Sequence, residues 1–300
     1  MSQTDENPPQ RADFPAALRG HRGGLLQDLC RWLAGLQKSA RLRHSSNDPP
    51  PDIGGFSFRG PDVAADIREK YPDAGDLLEI FAGMRDVMVH KWHHYIPLYE
   101  RYFGRFRGTG VRFLEIGVSQ GGSLRMWRDY FGVDAVIYGV DVDRSCGRFN
   151  GQSGQVRIGS QADPAFLNAV VDEMGGVDVV LDDGSHQMRH LRQSLSVLFP
   201  RLERGGLYLI EDLHTAYWEA FEGGYREPAN FFNAVGEIIE DMHRWYHPHD
   251  LTWPGVGDAV SGVHIHDSIT VLEKGPIAPP VHSRVGPLTP SSAESDQPRR

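Results

Sequence analysis

The stretch Val177–His186, VDVVLDDGSH, determines how the rest of the sequence is placed. Its first five residues, Val177–Leu181, are mostly apolar and β-branched, as in a strand buried on both faces of a parallel sheet. The strand pattern stops at Asp182, and Asp183 and His186 follow at once. Ligands of open α/β sheets bind beyond the carboxyl ends of the strands, so these three side chains lie where a functional site is expected.

A second acidic strand end follows at Glu211 and Asp212. Gly206–Ile210, GLYLI, predicts the next strand, and neighbouring strands lie about 4.8 Å apart. Asp183 is therefore expected to converge with Glu211 and Asp212. Three carboxylates repel one another unless a cation neutralises them, and hard oxygen donors with open positions favour Mg²⁺ over zinc. The alternative is that these acidic residues are solvated turn residues that only cap the strand ends.

The composition limits the class of protein. The 300 residues include 31 basic and 40 acidic side chains, a formal charge of −9, which argues against nucleic acid as the partner. Cys30 and Cys146 are the only cysteines, so neither a disulfide framework nor a zinc site is expected, and a reducing cytoplasm is the predicted location. The polar first ten residues do not resemble a signal peptide, and no apolar run approaches the length of a membrane span, so no membrane partner is expected.

A glycine-rich turn, Gly117–Gly122, follows the first predicted strand, Val111–Ile116. Glycines allow the backbone to approach a ligand at a helix N-terminus. The spacing differs from the G-x-G-x-x-G fingerprint of dinucleotide enzymes. The next predicted strand, Ala135–Val140, ends at Asp141, close to where an acidic residue binds ribose hydroxyls in nucleotide-binding folds. Together with Glu115, the turn and this aspartate favour a nucleotide-like ligand.

Strand and helix patterns alternate through the rest of the chain. Five strands alternate with helices before a terminal hairpin, which describes a doubly wound sheet with a late antiparallel edge. Besides the strands above, the predicted elements are helices 123–131, 186–202 and 229–246, and strands 155–158, 259–266 and 268–272. The predicted fold class is α/β: a Rossmann-like, doubly wound, seven-stranded sheet that is mostly parallel.

Two segments dense in aromatic residues flank these strands. His90–Tyr102, HKWHHYIPLYERY, lies just before the first strand and can cover a ligand, with Lys91 and His93 or His94 as contact candidates. The alternative is that its aromatic residues form a packing face and its histidines are solvated. The loop His214–Pro228 follows the second acidic strand end and can form a lid over a substrate.

Five segments together show a family resemblance: FLEIGVSQGGS, YGVDVD, GSQADP, VVLDDGSH and LIEDLHTAYW. They resemble class I S-adenosylmethionine-dependent methyltransferases and, more narrowly, the metal-dependent sugar O-methyltransferases of antibiotic biosynthesis. The resemblance covers roughly residues 88 to 275. The glycine turn is generic to the class, whereas the pairing of DDGSH with IEDLHTAYW is much more specific.

The resemblance implies an S-adenosylmethionine- and Mg²⁺-dependent enzyme that methylates a hydroxyl of a sugar or glycosylated natural product. It implies that Asp183, Glu211 and Asp212 hold Mg²⁺ and that His186 is the general base, with His214 as a rival base or a substrate contact. The implied cofactor site includes Lys91, Glu115, Gly117, Ser119, Gly121, Asp141, Gln161 and Asp182. A sugar hydroxyl is a poor nucleophile at neutral pH, and a divalent cation lowers its pKa so that an imidazole can take the proton.

With this interpretation the chain is predicted to have four parts. They are a disordered or amphipathic N-terminal extension (1–60) that contains a helix over 24–38, a helical cap (61–108), the methyltransferase domain (109–275) and a disordered tail (276–300). Pro97 is predicted to kink or break the cap. The acceptor is expected to be a small hydroxylated molecule, a glycoside, and the protein a homo-oligomer.

Two alternatives stay open at this point. One is a methyltransferase for another hydroxylated small molecule, such as a phenol or catechol, because the aromatic residues of loop 214–228 can stack on an aromatic acceptor. The other is a non-catalytic nucleotide-binding module with a degenerate site. The intact acidic trio with His186 argues against this second alternative, because a binding module does not need these residues.

Overall fold

The computed structural model describes residues 53–286, so the predicted helix over 24–38 and the last part of the predicted tail lie outside the described residues. Within this range the strands form one seven-stranded sheet, which belongs to the unit Phe56–Arg300. The strands are β1 (Arg112–Ile116), β2 (Val136–Asp141), β3 (Gln155–Ile158), β4 (Val177–Asp182), β5 (Leu202–Ile210), β6 (Val260–His266) and β7 (Ile269–Lys274).

The strands are arranged in the order β3-β2-β1-β4-β5-β7-β6. Neighbouring strands are parallel from β3 to β5, whereas β7 is antiparallel to both β5 and β6. Ile116, Asp182 and Ile210 are aligned across β1, β4 and β5, so the carboxyl ends of these three strands lie side by side. The predicted Rossmann-like, doubly wound sheet with a late antiparallel hairpin is confirmed.

Helices cover both faces of the sheet. They are α1 (Val63–Lys70), α2 (Gly75–Gly83), α3 (Tyr95–Phe103), α4 (Gly122–Phe131), α5 (Pro164–Met174), α6 (Met188–Leu198) and α7 (Phe231–Met242). Val180 of β4 packs in the core with α5, α6 and α7, whereas Val179 and Leu181 pack on the opposite face with α1 to α4. This double burial is why the strand is almost continuously apolar. None of the helices within residues 53–286 is long and apolar enough to span a membrane.

Some element boundaries differ from the prediction. β5 begins at Leu202 and includes the exposed residues 203–205, which hydrophobicity does not mark as a strand. The helices predicted over 186–202 and 229–246 are shorter, as α6 and α7. Pro97 does not break a helix but lies in the first turn of α3, where a backbone N–H has no partner within the helix.

Candidate active site

The ends of β4 and β5 are fixed side by side by backbone hydrogen bonds. The N–H of Asp183 donates to the carbonyl of Ile116 at 2.9 Å, and the N–H of Glu211 donates to the carbonyl of Asp182 at 3.0 Å. Each strand therefore keeps its pairing for one residue beyond the sheet. The side chains of Asp183 and Glu211 start from adjacent positions, as the sequence predicts.

The chain then turns sharply over the sheet edge at residues other than glycine. Ser119, His186 and Asp212 have positive φ angles of 48°, 55° and 54°. Residues with a Cβ rarely adopt this left-handed backbone conformation, and those that do are concentrated at functional sites. Because His186 has this conformation, α6 begins only at Met188.

Lys91 lies between two of the predicted metal-binding carboxylates. Its ammonium donates to Asp183 Oδ2 at 2.5 Å and to Glu211 Oε2 at 2.9 Å. Tyr99 donates its hydroxyl to the other oxygen of Glu211. Burial lowers the pKa of Lys91, but the two carboxylates outweigh it and hold that pKa above its usual value. Burial and the neighbouring Asp183 raise the pKa of Glu211, against the effect of Lys91.

Asp212 has one anchored oxygen and one that faces the imidazole of His186. Asp212 Oδ1 accepts hydrogen bonds from Tyr95 Oη at 2.8 Å and from Trp92 Nε1 at 3.2 Å. Asp212 Oδ2 lies 3.8 Å from His186 Nε2. Asp183 has the same division, because its Oδ1 lies 3.8 Å from His186 Nε2 while its Oδ2 is held by Lys91.

These two aspartates and His186 form a compact donor group. One ligand atom from each of Asp183, His186 and Asp212 lies within 4.8 Å of the others. Glu211, which the sequence predicts as the third metal-binding carboxylate, is adjacent, but both of its oxygens accept hydrogen bonds from Lys91 and Tyr99. The donor set is rich in hard carboxylate oxygens, and it fits a cation such as Mg²⁺.

A cavity of about 290 Å³ joins the acidic group to the glycine turn. Of the predicted site residues, it is lined by Lys91, Gly117, Ser119, Asp183, His186, Glu211 and Asp212. The predicted residues outside its lining are Glu115, Gly121, Asp141, Gln161, Asp182 and His214. Trp92 and Tyr95, which belong to the packing face in the alternative interpretation of His90–Tyr102, also line the cavity.

The glycine turn has the close backbone approach that the sequence predicts. Gly117 has a φ of 97°, and a Cβ placed there would collide with the carbonyl oxygen of Asp183. Asp141 holds the turn, because its Oδ2 accepts from the N–H groups of Val118 and Ser119 at 2.9 and 3.0 Å. Burial raises the pKa of Asp141, but backbone hydrogen bonds, including one from Asp143, outweigh it and keep that pKa below its usual value.

Gly121 supports the same turn from outside the cavity. It has a φ of 75° and precedes α4, and a Cβ there would lie 2.7 Å from the ring of Phe149. Glu115, directly below the turn, is fully buried and accepts hydrogen bonds from Ser123 Oγ at 2.8 Å and Trp127 Nε1 at 3.1 Å. Burial raises the pKa of Glu115 to about 7, although the nearby Lys91 opposes this shift.

Asp182 and Gln161 form a buried support for the loop after β4. Asp182 accepts hydrogen bonds from Ser194 Oγ at 2.5 Å, Tyr208 Oη at 2.8 Å and Gln161 Nε2 at 3.1 Å. Gln161 Oε1 accepts in turn from the N–H of Ser185 at 2.7 Å. The two side chains thus position the segment that includes Asp183 and His186.

The two candidate bases differ in position. His186 lies between the two aspartates, and its Nδ1 is buried with no hydrogen-bond partner among the described residues. His214 lies beside Asp212, with its Nδ1 2.7 Å from Ser268 Oγ and 3.9 Å from Asp212 Oδ1. Burial lowers the pKa of His214, although the Asp212 carboxylate raises it. His186 is therefore better placed to act on a group held at both aspartates.

Two other histidines, His93 and His94, are paired elsewhere. His93 Nδ1 lies 2.7 Å from an oxygen of Asp66, and His94 Nε2 lies 3.2 Å from the carbonyl oxygen of Asp267. Neither lines the cavity. Lys91 is thus the member of the His90–Tyr102 contact candidates that reaches the site.

No family model matches the chain. The chain is 38% identical to 8-demethyl-8-alpha-L-rhamnosyl tetracenomycin-C 2'-O-methyltransferase of Streptomyces olivaceus over 199 residues. These matched residues cover 61% of this chain and 51% of that protein. It is 37% identical over 231 residues to mycinamicin VI 2''-O-methyltransferase of Micromonospora griseorubida, which covers 71% and 55% respectively. The chain thus spans about half the length of the curated relatives that it matches.

Solved structures of the MycE methyltransferase from the mycinamycin pathway are also similar. One, in complex with Mg and SAH, has a TM-score of 0.60 at 26% identity and covers 99% of this chain and 73% of that chain. Another, in complex with Mg, SAH and mycinamycin VI, has a TM-score of 0.57 at 27% identity and covers 91% and 66%. These likenesses confirm the resemblance that the sequence motifs indicate.

Proposed function

We propose that this chain, which resembles the class I S-adenosylmethionine-dependent methyltransferases in sequence and fold, is an S-adenosylmethionine- and Mg²⁺-dependent O-methyltransferase for a hydroxyl of a glycosylated small molecule. The observation that supports this best is the pair of aspartate oxygens, Asp183 Oδ1 and Asp212 Oδ2, that face His186 Nε2 from 3.8 Å each. The names of the two relatives, an alpha-L-rhamnosyl tetracenomycin-C 2'-O-methyltransferase and a mycinamicin VI 2''-O-methyltransferase, support an O-methyltransferase, and the rhamnosyl group in the first name supports the acceptor class.

Asp183 and Asp212 would hold the Mg²⁺, with Glu211 as the third carboxylate of the site. When bound, the cation supplies the charge that lowers the pKa of an acceptor hydroxyl. Lys91 and Tyr99 keep the Glu211 carboxylate in place through one hydrogen bond to each oxygen. The hydrogen bonds from Tyr95 and Trp92 leave the second oxygen of Asp212 turned toward the cavity.

His186 acts in this proposal as the general base. Its Nε2 would accept the proton of the acceptor hydroxyl, since this nitrogen faces the two aspartates while Nδ1 is buried. A general base has to lie within hydrogen-bond reach of the proton that it accepts. The imidazole of His186 meets this condition for a hydroxyl that is bound next to both aspartates. His214, on the far side of Asp212, would contact the acceptor.

The glycine turn would bind S-adenosylmethionine. Gly117 and Ser119 line the cavity, and Asp141 would accept hydrogen bonds from the ribose hydroxyls. A carboxylate offers about four lone pairs, so the three backbone N–H groups that Asp141 already binds leave room for a further donor. Lys91, Glu115, Gly121, Gln161 and Asp182 would complete the cofactor site, most of them by holding the turn and the loop after β4 in place.

The test is methyl transfer to a mixture of neutral glycosides and catechol, followed by mass spectrometry of the products. We expect one methyl group on a glycoside, loss of turnover in excess EDTA and its return with Mg²⁺, while calorimetry still detects S-adenosylmethionine binding. Asp183→Asn should abolish turnover, whereas Asp134→Asn, an exposed aspartate after α4, should not. Full turnover in EDTA or methylation of catechol alone would contradict the proposal. The homo-oligomeric state stays a prediction.

A further inference from the structure

A series of aromatic and imidazole rings lies beside the acidic group, and we call it the aromatic arc. Its members are Phe56, Trp92, His214, Trp218, Phe221 and His186. They come from three separate places: the chain before β1, the loop after β5 and the loop after β4. In this order the distances between successive ring centroids are 6.0, 5.5, 4.9, 5.9 and 6.2 Å. The rings therefore form one continuous surface.

Both sides of the aromatic arc meet at one carboxylate. Trp92 Nε1 donates to Asp212 Oδ1 at 3.2 Å, whereas His186 Nε2 lies 3.8 Å from Asp212 Oδ2. His214, between them in the series, has its Nδ1 3.9 Å from Asp212 Oδ1. The arc thus curves around the Asp212 carboxylate, with His186 on the side of Oδ2 and with Trp92 and His214 on the side of Oδ1.

The aromatic arc is packed differently from the aromatic core. Trp127, Tyr99 and Phe113 are fully buried, whereas the members of the arc are half-buried or exposed, and Phe56 is 69% exposed. The interplanar angles within the arc are between 49° and 72°, so no pair is stacked and ring surface stays available. A contiguous apolar surface that is left accessible beside polar groups is typical of a ligand site.

We propose that the aromatic arc is the acceptor-binding surface and that it takes the apolar C–H face of a neutral pyranoside, with the reacting hydroxyl at Asp212 and His186. This inference rests on the proposed function and specifies how that site recognises its acceptor. A pyranose has apolar C–H faces and polar edges, and the negative face of an aromatic ring attracts polarised C–H groups.

The side chains of the aromatic arc do not favour a sugar phosphate as the acceptor. The six arc residues include no lysine or arginine, and the ammonium of Lys91 is already shared by Asp183 and Glu211. Phosphate recognition depends on charge-assisted hydrogen bonds from such groups. The arc therefore fits an uncharged glycoside, and its rings from residue 218 onward can also contact an apolar aglycone.

The experiment uses the full chain with Mg²⁺, S-adenosylhomocysteine and methyl α-L-rhamnopyranoside as the probe, and saturation-transfer NMR as the binding readout. Trp218→Ala and Phe221→Ala should weaken saturation transfer to the ring protons of the probe. They should raise the acceptor KM roughly 3- to 10-fold, the scale of one aromatic contact, with kcat and the dissociation constant of S-adenosylmethionine unchanged. Trp218→Phe keeps a ring and should restore most of the binding.

The matched control is Trp245→Ala. Trp245 is 42% exposed, follows α7 and contacts Arg244 at 4.6 Å, outside the aromatic arc. If both alanine variants bind the probe and have a KM like the wild type, the acceptor-binding role of the aromatic arc is wrong, whereas the proposed methyltransferase function is unaffected. If the probe binds through the aromatic arc but no glycoside is methylated, the binding role of the arc is supported and the proposed function is contradicted. No binding of the probe by the wild type would overturn the arc.

Discussion

Replacing Lys91 by methionine should destabilise the protein strongly without a divalent cation and much less with one. The side chains of Lys91 and Glu211 are 3% and 1% exposed, and that of Asp183 is 23% exposed. Removing one partner of a buried ion pair leaves an uncompensated charge, which costs about 3–5 kcal/mol. Because Asp183 keeps part of its hydration, we expect the lower end, about 3 kcal/mol in the free energy of unfolding.

The measurement is urea denaturation of the wild type and Lys91→Met, each in EDTA and in excess Mg²⁺. A bound cation supplies positive charge to the same carboxylates, so the loss of stability should shrink in Mg²⁺. Adding Glu211→Gln removes the second charge of the pair. The double variant should therefore lose less stability than the sum of the two single variants, because contacting residues are not additive.

The control is Lys70→Met. Lys70 forms an exposed ion pair with Asp66 at 2.7 Å, and such pairs contribute about 0–1 kcal/mol. This variant should lose little stability and should not respond to Mg²⁺. Equal losses for Lys91→Met in EDTA and in Mg²⁺, or strict additivity with Glu211→Gln, would refute the claim that Lys91 neutralises the acidic strand ends.

Three further predictions concern the cofactor site, the base and pH. Asp141→Ala should weaken S-adenosylmethionine binding by about 1–3 kcal/mol, the scale for hydrogen bonds to a charged group, and an unchanged dissociation constant by calorimetry in a folded variant would exclude the ribose role. His186→Ala should lower kcat by roughly 10²–10⁴-fold at saturating metal and cofactor, whereas His214→Ala should act mainly on KM; a mild loss at His186 beside a severe one at His214 would make His214 the base. Burial raises the pKa of Glu115 from 4.5 to about 7, so its contribution to stability is complete below pH 4.5 and is lost as the pH rises to about 7. Relative to Glu115→Gln, the wild type should therefore lose up to about 3 kcal/mol over this interval in urea denaturation, and parallel pH profiles would contradict the assignment.

Much of the fold was predictable because its strands are buried on both faces. Gln155–Ile158 has the predicted bounds, β1 and β4 each differ from prediction by one residue at one end, and β2 is shifted by one residue. A parallel strand between two helical layers has to be apolar throughout, so hydrophobicity alone marks it. The start of β5 lacks this signal, because residues 203–205 are exposed.

The acidic strand ends of the site were predictable, whereas their partners were not. Asp183 and Glu211 follow from the order of the strands, but Lys91 lies 92 and 120 residues away from them in the sequence. Tyr95 and Tyr99 have the spacing of a packing face, and they are indeed buried. Their hydroxyl groups nonetheless bind Asp212 and Glu211, and a hydrophobic pattern does not show where the polar end of a tyrosine points.

Predicted cofactor contacts also differ in how directly they reach the cavity. Gly117 and Ser119 line it, whereas Gln161 and Asp182 hold the loop after β4 from the protein interior. A motif marks both kinds of residue in the same way, because both are needed for the same local shape. Only side-chain direction separates them, and this depends on packing between distant segments.

The contacts between the segment before β1 and the carboxylates at the ends of β4 and β5 limit where related proteins can be recombined. Lys91 and Trp92 supply the counterion and a hydrogen-bond donor for carboxylates that are encoded more than ninety residues later. A chimera joined between residues 93 and 109 would thus match the carboxylates of one parent with the donors of another. A crossover before residue 88 takes Lys91, Trp92 and the carboxylates from the same parent. In a library of such chimeras, active members should therefore be found mainly among those joined before residue 88.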